Sequence, residues 1–256
     1  MPLSVKALAL QEVMSYAGAL ALDYINNLDQ LEFHQKKPRD LVSEADLAVE
    51  KQLIESLTPL APGAGFFGEE TGHSDNQKLR WIIDPIDGTH SFVRGQYFWG
   101  LSVALERDGE LELAAVYAPK LGDLYLAEKG KGAYKNGEPI HCSKTADLSE
   151  AMISTGFACL RAGLADNNLP RFGRIALATM GHRRFGSAAL DLCLVADGQV
   201  DLFWEQELNL YDVAAGVLIA KEAGASITNF AGEDRLDPKQ LLATNGLLTA
   251  QVLPLM

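Results

Sequence analysis

The segment that most restricts the fold is 81–89, where an apolar run leads directly into two carboxylates, a proline and a glycine. It reads Trp81-Ile82-Ile83-Asp84-Pro85-Ile86-Asp87-Gly88-Thr89. The apolar run is typical of a buried strand, and a turn is predicted after it because Pro fixes φ and Gly tolerates φ > 0. Across such a turn Asp84 and Asp87 can point into one pocket, and carboxylate oxygens are the ligands that hard divalent cations take. An ordinary turn without a metal explains the same residues, so this segment alone leaves both interpretations open.

Composition restricts the kinds of partner. The chain has 256 residues, of which 48% are hydrophobic and 22% charged, enough for one large core or two closely packed halves. Its formal charge of -12 argues against a broad electrostatic footprint for nucleic acid or an anionic membrane. If the substrate is anionic, positive charge must be supplied locally, which bound divalent cations would do. For most of the 34 acidic residues, solubility alone is the alternative explanation.

The cysteines and the N-terminal segment indicate a cytoplasmic protein. Cys142, Cys159 and Cys193 are widely spaced and form no C-x-x-C pair, so neither a disulfide framework nor a thiolate zinc site is expected. Residues 1–31 are apolar at intervals but carry charged residues throughout, which is typical of an amphipathic helix rather than of a signal peptide or a membrane span.

The first part of the chain predicts an α+β arrangement. A helix is expected over 4–31 and a second one after Ser43, whose Ser-Glu-Ala-Asp sequence resembles a capping box. Short strands are expected to end at Glu69 and at Asp84. Three turn dipeptides between residues 98 and 140 predict an antiparallel meander.

The later part of the chain alternates strand-like and helix-like stretches. The candidate strands are 151–155, 200–204, 225–228 and 241–244, and the candidate helices are 169–180, 187–197 and 212–223. Residues 1–145 are therefore expected to form an α+β half with an antiparallel sheet, and residues 146–256 an α/β half. No linker divides them, so the halves are expected to pack as one unit.

Acidic candidates lie where elements end or begin. They are Asp46 in a helical first turn, Glu69 and Asp84 after strands, Asp87 in the following turn and Asp212 at a helix start. Hydrolysis of phosphate monoesters is very slow without a catalyst, and paired metal ions accelerate it by stabilising the attacking and leaving oxygens. Structural alternatives remain, with Asp46 as the acid of a capping box and Asp212 as favourable charge at a helix N-terminus.

Three ordered motifs resemble the signatures of the inositol monophosphatase family of magnesium-dependent, lithium-sensitive phosphatases. They are Gly68-Glu69-Glu70, Asp84-Pro85-Ile86-Asp87-Gly88-Thr89 and Tyr211-Asp212-Val213-Ala214-Ala215-Gly216. Segments 40–46 and 184–189 also match in order, so the resemblance covers nearly the whole chain. It implies a layered αβαβα sandwich, a homodimer and two to three Mg²⁺ ions in each active site.

The resemblance also implies a ligand set for these ions. Glu69, Asp84 and the carbonyl oxygen of Ile86 would hold the first ion. Asp84, Asp87 and Asp212 would hold the second. A third, weaker Mg²⁺ is implied near Glu69, where its water would be the nucleophile.

Catalytic and substrate-binding roles are implied in the same way. Thr89, hydrogen-bonded to Asp46, would orient the water near Glu69. The main-chain N–H groups of Gly88 and Thr89 would receive the phosphate. The full set of implied substrate contacts is Asp87, Gly88, Thr89, Gly186, Ser187, Glu205 and Asp212. As structural alternatives, Thr89 could be a helix N-cap and Glu205 a surface acid at a strand end.

The sequence departs from the family pattern near the pocket. Ser91 stands where Asn is common and Tyr211 where Trp is frequent. Neither change removes a ligand, so they put the substrate in question more than the reaction. Lys36 and Lys37 align imperfectly with the family's lysine and have no assigned role.

The expected function is Mg²⁺-dependent hydrolysis of a small polyol phosphate by metal-activated water, with myo-inositol 1-phosphate as the leading substrate. Histidinol phosphate and various sugar phosphates are alternatives, because phosphatases with the same signatures act on them. An alternative of a different class is a non-catalytic protein that holds a structural cation and binds a macromolecular partner. Thr89 and Asp46 would be superfluous in that role.

Overall fold

The protein is described by a computed structural model over residues 3–27, 33–37, 40–73 and 78–256. Its helices are α1 (Val5–Ile25), α2 (Glu44–Leu57), α3 (Thr89–Phe92), α4 (Ala158–Arg161), α5 (Leu169–Ala176), α6 (Ala188–Ala196), α7 (Leu210–Glu222) and α8 (Thr249–Val252). Its strands are β1 (Phe33–Lys37), β2 (Asp40–Ser43), β3 (Gly65–Gly68), β4 (Gly72–His73), β5 (Leu79–Asp87), β6 (Gly100–Arg107), β7 (Glu110–Ala118), β8 (Asp123–Glu128), β9 (Ala133–Lys135), β10 (Glu138–Ile140), β11 (Met152–Thr155), β12 (Gly181–Arg183), β13 (Leu202–Gln206), β14 (Ser226–Thr228) and β15 (Gln240–Thr244).

The larger sheet has the strand order β10-β9-β8-β7-β6-β5-β3-β4. Its neighbouring strands are antiparallel except β3 and β5, which run parallel. Strands β6 to β10 pair in sequence order, which confirms the meander predicted between residues 98 and 140. Asp108 and Asn136 adopt positive φ at its turns, as Asp-Gly and Asn-Gly hairpin connections require.

The smaller sheet has the order β12-β11-β13-β15-β14. Strand β11 is parallel to both of its neighbours, whereas β15 is antiparallel to β13 and β14. The predicted helix over 169–180 ends at Ala176, and β12 was not predicted. A three-residue edge strand is too short to show a hydrophobic period, and here it is fixed by main-chain bonds from Met180 and Gly181 to the Ala151 carbonyl oxygen.

Alternate side chains of β5 pack against different helical layers. Trp81 and Ile83 pack with α1 and α2 on one face of the larger sheet, while Ile82 packs with α6 and α7 on the other. Helices α6 and α7 lie between the sheets, because the same cluster contains Phe203 of β13. On the outer face of the smaller sheet, Trp204 packs with α5 and α8. This order of layers confirms the αβαβα sandwich.

The predicted turn between Asp84 and Asp87 is wrong, because β5 continues through both residues. Asp84 pairs with Ser102 and Asp87 with Gly100, so two residues of β5 oppose one residue of β6. This is a β-bulge, and Pro85 is tolerated there because a bulged residue needs no ladder hydrogen bond.

The N-terminal helix is shorter than predicted. It ends at Ile25, and the main-chain N–H of Asn26 donates to the Leu22 carbonyl oxygen. Residues 28–31 of the predicted helix, and the Ser43 side chain of the predicted capping box, lie outside the described parts of the structure. Helix α2 begins at Glu44 as expected.

All three cysteines are free. Among the described residues, none of the helices combines the length and the apolar character needed to span a membrane. The two larger sheets lie on either side of residue 145, and the division into halves 1–145 and 146–256 stays a prediction.

Candidate active site

Acids from three separate segments line one pocket of about 500 Å³. Glu69 follows β3, Asp84 and Asp87 belong to β5, and Asp212 lies in the first turn of α7. The remaining lining residues are Ile86, Gly88, Thr89, His90, Ser91, Arg94, Gln96, Arg161, Arg184, Phe185 and Gly186. The acids singled out by their positions in the sequence thus share a pocket, with the exception of Asp46.

The bulge in β5 brings Asp84 and Asp87 to the same side. In a regular strand, residues three apart face opposite sides of the sheet, and one extra residue reverses that relation. Both carboxylates are nearly buried, with 2% and 8% of their surface exposed. The main-chain N–H of Ile86 donates to Asp84 Oδ1 at 3.1 Å, which helps to hold this carboxylate in place.

Asp87 is held from the other side of the pocket by the start of α6. Ser187 Oγ donates to Asp87 Oδ2 at 2.6 Å, and the Ala189 N–H donates to the same oxygen at 2.7 Å. Ser187 is buried and does not line the pocket, so its contact is with the carboxylate. Its predicted substrate contact stays a prediction.

Asp212 has a structural function as well as its place in the pocket. It occupies the third position of α7 and accepts a hydrogen bond of 2.6 Å from the main-chain N–H of Asn209, as the acid of a capping box. Asp212 thus lies at a helix start, and this position does not exclude ligation because one Oδ2 contact leaves acceptor capacity on the carboxylate.

Gly88 and Thr89 form the junction between β5 and α3. Gly88 is the N-cap and adopts φ +94°. A Cβ there would lie 3.2 Å from the carbonyl oxygens of Phe98 and Gly186. Thr89 is the first helical residue rather than the N-cap, and its hydroxyl lies 3.1 Å from the Ile86 carbonyl oxygen and 3.5 Å from Asp46 Oδ1. The hydroxyl has one proton and can donate it to only one of these two oxygens. The shorter contact, to the Ile86 carbonyl oxygen, is the better hydrogen bond.

Two predicted site residues lie behind the pocket rather than in its wall. Asp46 is 1% exposed and does not line the pocket, but its Oδ1 lies 3.5 Å from the Thr89 hydroxyl and its charge acts on Asp84. Glu205 is 6% exposed and accepts a hydrogen bond of 2.9 Å from the Ala158 N–H. Strand β13 runs through Glu205 to Gln206, so the alternative of a surface acid at a strand end is wrong.

Burial and mutual repulsion make these acids hard to ionise. Burial raises the pKa of Asp84 well above its usual range, and the nearby carboxylates of Glu69, Asp87 and Asp212 raise it further. The pKa of Asp212 is raised by burial and by Asp87. Burial raises the pKa of Asp87 to about 6, against the lowering effect of its bond from Ser187. A bound cation would remove this cost.

The donor set fits a hard divalent cation. Carboxylate and carbonyl oxygens without nitrogen or sulfur are what Mg²⁺ takes. Among the residues that the structure describes, no three His, Cys, Asp or Glu side chains are already gathered tightly enough to enclose an ion. The carboxylates nevertheless act on one another electrostatically across a shared pocket, and side chains turn toward a cation on binding.

Three arginines of the pocket wall were missed by the sequence reasoning. Arg94 follows α3, Arg161 ends α4 and Arg184 follows β12. All three are exposed. They are far apart in the chain and lie in no periodic pattern, so only the tertiary fold brings them together. Arg184 lies within the family-like segment 184–189, which was the one available signal.

Comparison with known proteins gives a consistent result. The model of the inositol monophosphatase family matches residues 4–254. An inositol-1-monophosphatase of Mesorhizobium japonicum is 35% identical, over 95% of this chain and 92% of that protein. A putative Nus factor SuhB of Neisseria meningitidis serogroup B is 38% identical, over 93% of this chain and 92% of that protein.

The fold comparison agrees. The crystal structure of the extragenic suppressor protein suhB from Bartonella henselae superposes with a TM-score of 0.91 at 31% identity, covering 98% of both chains. The fold, the ordered motifs and the match along nearly the entire length lead to one conclusion. This chain belongs to the inositol monophosphatase family.

Proposed function

We propose that this chain is a Mg²⁺-dependent phosphomonoesterase that hydrolyses a small polyol phosphate, with myo-inositol 1-phosphate as the leading substrate. The observation that carries the proposal is the convergence of Glu69, Asp84, Asp87 and Asp212 on one pocket. Family membership and relatives named inositol-1-monophosphatase support the choice of substrate. Inhibition by lithium and a homodimeric state belong to the same proposal.

The acids of the pocket would hold two to three Mg²⁺ ions, together with the carbonyl oxygen of Ile86. Bound Mg²⁺ would supply positive charge to the phosphate oxygens and lower the pKa of a water molecule. Asp84, Asp87 and Asp212 each accept a hydrogen bond from the protein, which restricts their rotation before a cation binds. Such alignment by surrounding groups is what tunes metal ligands.

Thr89 would orient the attacking water. For this, its hydroxyl proton turns from the Ile86 carbonyl oxygen to Asp46, so that Oγ1 can accept a hydrogen bond from the water. Asp46 is buried behind Thr89 and would fix this orientation. The backbone of Gly88 and Thr89 would lie against the phosphate, because both residues line the pocket beside the acids.

A second candidate is a role as an interaction factor, with the acids holding a structural cation. The observation that favours it is the name of several relatives, since proteins 35–38% identical to this chain are called Nus factor SuhB or putative Nus factor SuhB.

Phosphate release from a panel of monoesters tests the proposal. We expect turnover of inositol 1-phosphate only with Mg²⁺. Asp87→Asn should lower kcat/KM by about 100-fold or more, since loss of a residue that merely supports a metal ligand already costs up to about 100-fold. Asp197→Asn is the control, because this acid is comparably buried but is bonded to Tyr125 and Lys135 outside the pocket. A higher kcat/KM for histidinol phosphate or fructose 1,6-bisphosphate would transfer the proposal to that substrate. Absence of Mg²⁺-dependent turnover on every monoester would leave the interaction role.

A further inference from the structure

The arginines of the pocket differ from the other arginines that the structure describes. Arg80, Arg107, Arg171 and Arg235 pair with carboxylates, and Arg174 and Arg183 donate to carbonyl oxygens. Within the described residues, Arg94, Arg161 and Arg184 form neither an ion pair nor a side-chain hydrogen bond, and all three line the pocket. Unpaired guanidinium groups are thus concentrated where a ligand would bind.

These cations do not lie equally close to all the acids. The groups that act most strongly on Asp84 are all acidic. Arg184 and Arg161 act instead on Glu205, and Arg161 acts on Asp87. We call the part of the wall with Glu69, Asp84 and Asp212 the acidic side of the pocket, and the part with Arg161 and Arg184, whose charges act on Glu205, the basic side.

The segment that carries Arg161 is held firmly although the side chain is exposed. Helix α4 begins at Ala158, whose N–H donates to the buried Glu205 carboxylate at 2.9 Å. Asn168, which is fully buried, closes the segment by donating to Thr155 Oγ1 and by accepting from Trp204 Nε1 at 2.7 Å. The guanidinium is therefore presented from a fixed backbone, which lowers the entropy lost on binding.

We propose that Arg161 and Arg184, with Arg94 in the wall of the same pocket, form a subsite for a second anionic group of the substrate, separate from the phosphate that is cleaved. This inference rests on the proposed function, in which the acidic side of the pocket and its cations take the cleaved phosphate. A guanidinium matches the geometry of carboxylate and phosphate oxygens and binds them through charge-assisted hydrogen bonds. The preferred substrates are sugar or polyol phosphates that carry a carboxylate or a second phosphate.

Glucose 1-phosphate and glucuronic acid 1-phosphate form a matched pair of probes, because they share one phosphate and one ring and differ in a single carboxylate. Binding of each is measured by calorimetry with Ca²⁺ in place of Mg²⁺, since Ca²⁺ also takes oxygen ligands. We expect the wild type to bind glucuronic acid 1-phosphate about tenfold more tightly, the usual scale for a charge-assisted contact. Added salt should reduce this preference.

The variants Arg161→Gln and Arg184→Gln should each lower the preference for glucuronic acid 1-phosphate over glucose 1-phosphate severalfold. Both side chains are exposed and unpaired among the described residues, so their replacement costs little stability. Arg107→Gln is the matched control, because Arg107 pairs with Glu112 at the surface away from the pocket, and it should leave the preference unchanged.

The outcomes separate this inference from the proposed function. Equal binding of the two probes, no measurable binding of either, or a preference unaffected by both arginine variants overturns the subsite. Mg²⁺-dependent phosphate release from inositol 1-phosphate would still stand in each of these cases. Conversely, a preference that depends on Arg161 supports the subsite even if no monoester is hydrolysed.

Discussion

Ser187 at the start of α6 donates a 2.6 Å hydrogen bond to the carboxylate of Asp87, 100 residues earlier in the chain. The same hydroxyl oxygen caps α6 by accepting from the Leu190 N–H at 3.3 Å. One side chain therefore fixes both the first turn of α6 and the orientation of a carboxylate at the end of β5. The pocket depends on this contact between its two sides.

Replacement of this serine should affect both stability and metal binding. Ser187→Ala removes a cap and a bond to a buried carboxylate, so we expect a loss of about 1–2 kcal/mol in the free energy of unfolding. Urea unfolding measures this loss. Because Asp87 also loses an aligning donor, Mg²⁺ affinity should fall about tenfold or more.

Ser4→Ala is the control for that experiment. Ser4 caps α1 by accepting from the Ala7 N–H and lies far from the pocket. It should lower stability without weakening Mg²⁺ binding. Equal Mg²⁺ affinity in the two variants would contradict the role given to Ser187.

Gly88→Ala should cost more than the same change at another glycine with positive φ. At Gly88 the new methyl group would lie 3.2 Å from two carbonyl oxygens, in addition to the left-handed backbone penalty of about 1 kcal/mol. At Gly137, with φ +85°, a Cβ meets nothing within 4 Å. Thermal unfolding of both variants tests the difference. A Gly88 variant as stable as the Gly137 variant, with full phosphatase activity, would show that the close approach is unimportant.

The buried Glu205 should make the metal-free protein less stable as the pH rises. Burial raises its pKa from an ordinary 4.5 to about 7. The folded state therefore keeps a proton that the unfolded state releases, and stability falls between these two pH values. Glu205→Gln removes this dependence. Relative to the wild type, the free energy of unfolding of the variant, measured with urea, should therefore rise between pH 5 and pH 8. Glu138→Gln, at an exposed site on β10, should show no such gain, and parallel profiles for Glu205→Gln would refute the effect.

Mg²⁺ should stabilise the protein more at high pH than at low pH. Burial raises the pKa of Asp87 from 3.8 to about 6, so the metal-free folded state loses stability as the pH rises through this range. In the proposed function Mg²⁺ binds the ionised form and would relieve that loss. We expect a larger rise in Tm on adding Mg²⁺ at pH 8 than at pH 5. An equal rise at both pH values would mean that the ion binds elsewhere.

The sequence was sufficient for most of the fold because local signals agreed with the tertiary structure. Glu69 follows a strand and Asp212 lies in the first turn of a helix, as their apolar neighbours indicated. The turn predicted at Asp84 was wrong because Pro-x-Asp-Gly is compatible with both a turn and a bulged strand. Pairing with β6 decides between them, and it is not encoded locally.

The basic side of the pocket could not be predicted from the sequence either, because it too depends on tertiary contacts. Arg94 follows one four-residue helix and Arg161 ends another, and nothing in their immediate sequence distinguishes them from surface arginines. Their significance comes from lacking partners in a shared pocket, which depends on how three distant segments are packed.

The most direct test of the central claim is a Mn²⁺ binding titration followed by electron paramagnetic resonance, with Mn²⁺ as an oxygen-seeking substitute for Mg²⁺. The proposed function assigns Asp84 to both principal ions, so Asp84→Asn should abolish tight binding of more than one ion, whereas Asp197→Asn should bind as the wild type does. We expect the wild type to bind at least two ions. If Asp84→Asn retained the wild-type number and affinity of ions, the carboxylates of this pocket would not be the metal site, and the account would be contradicted.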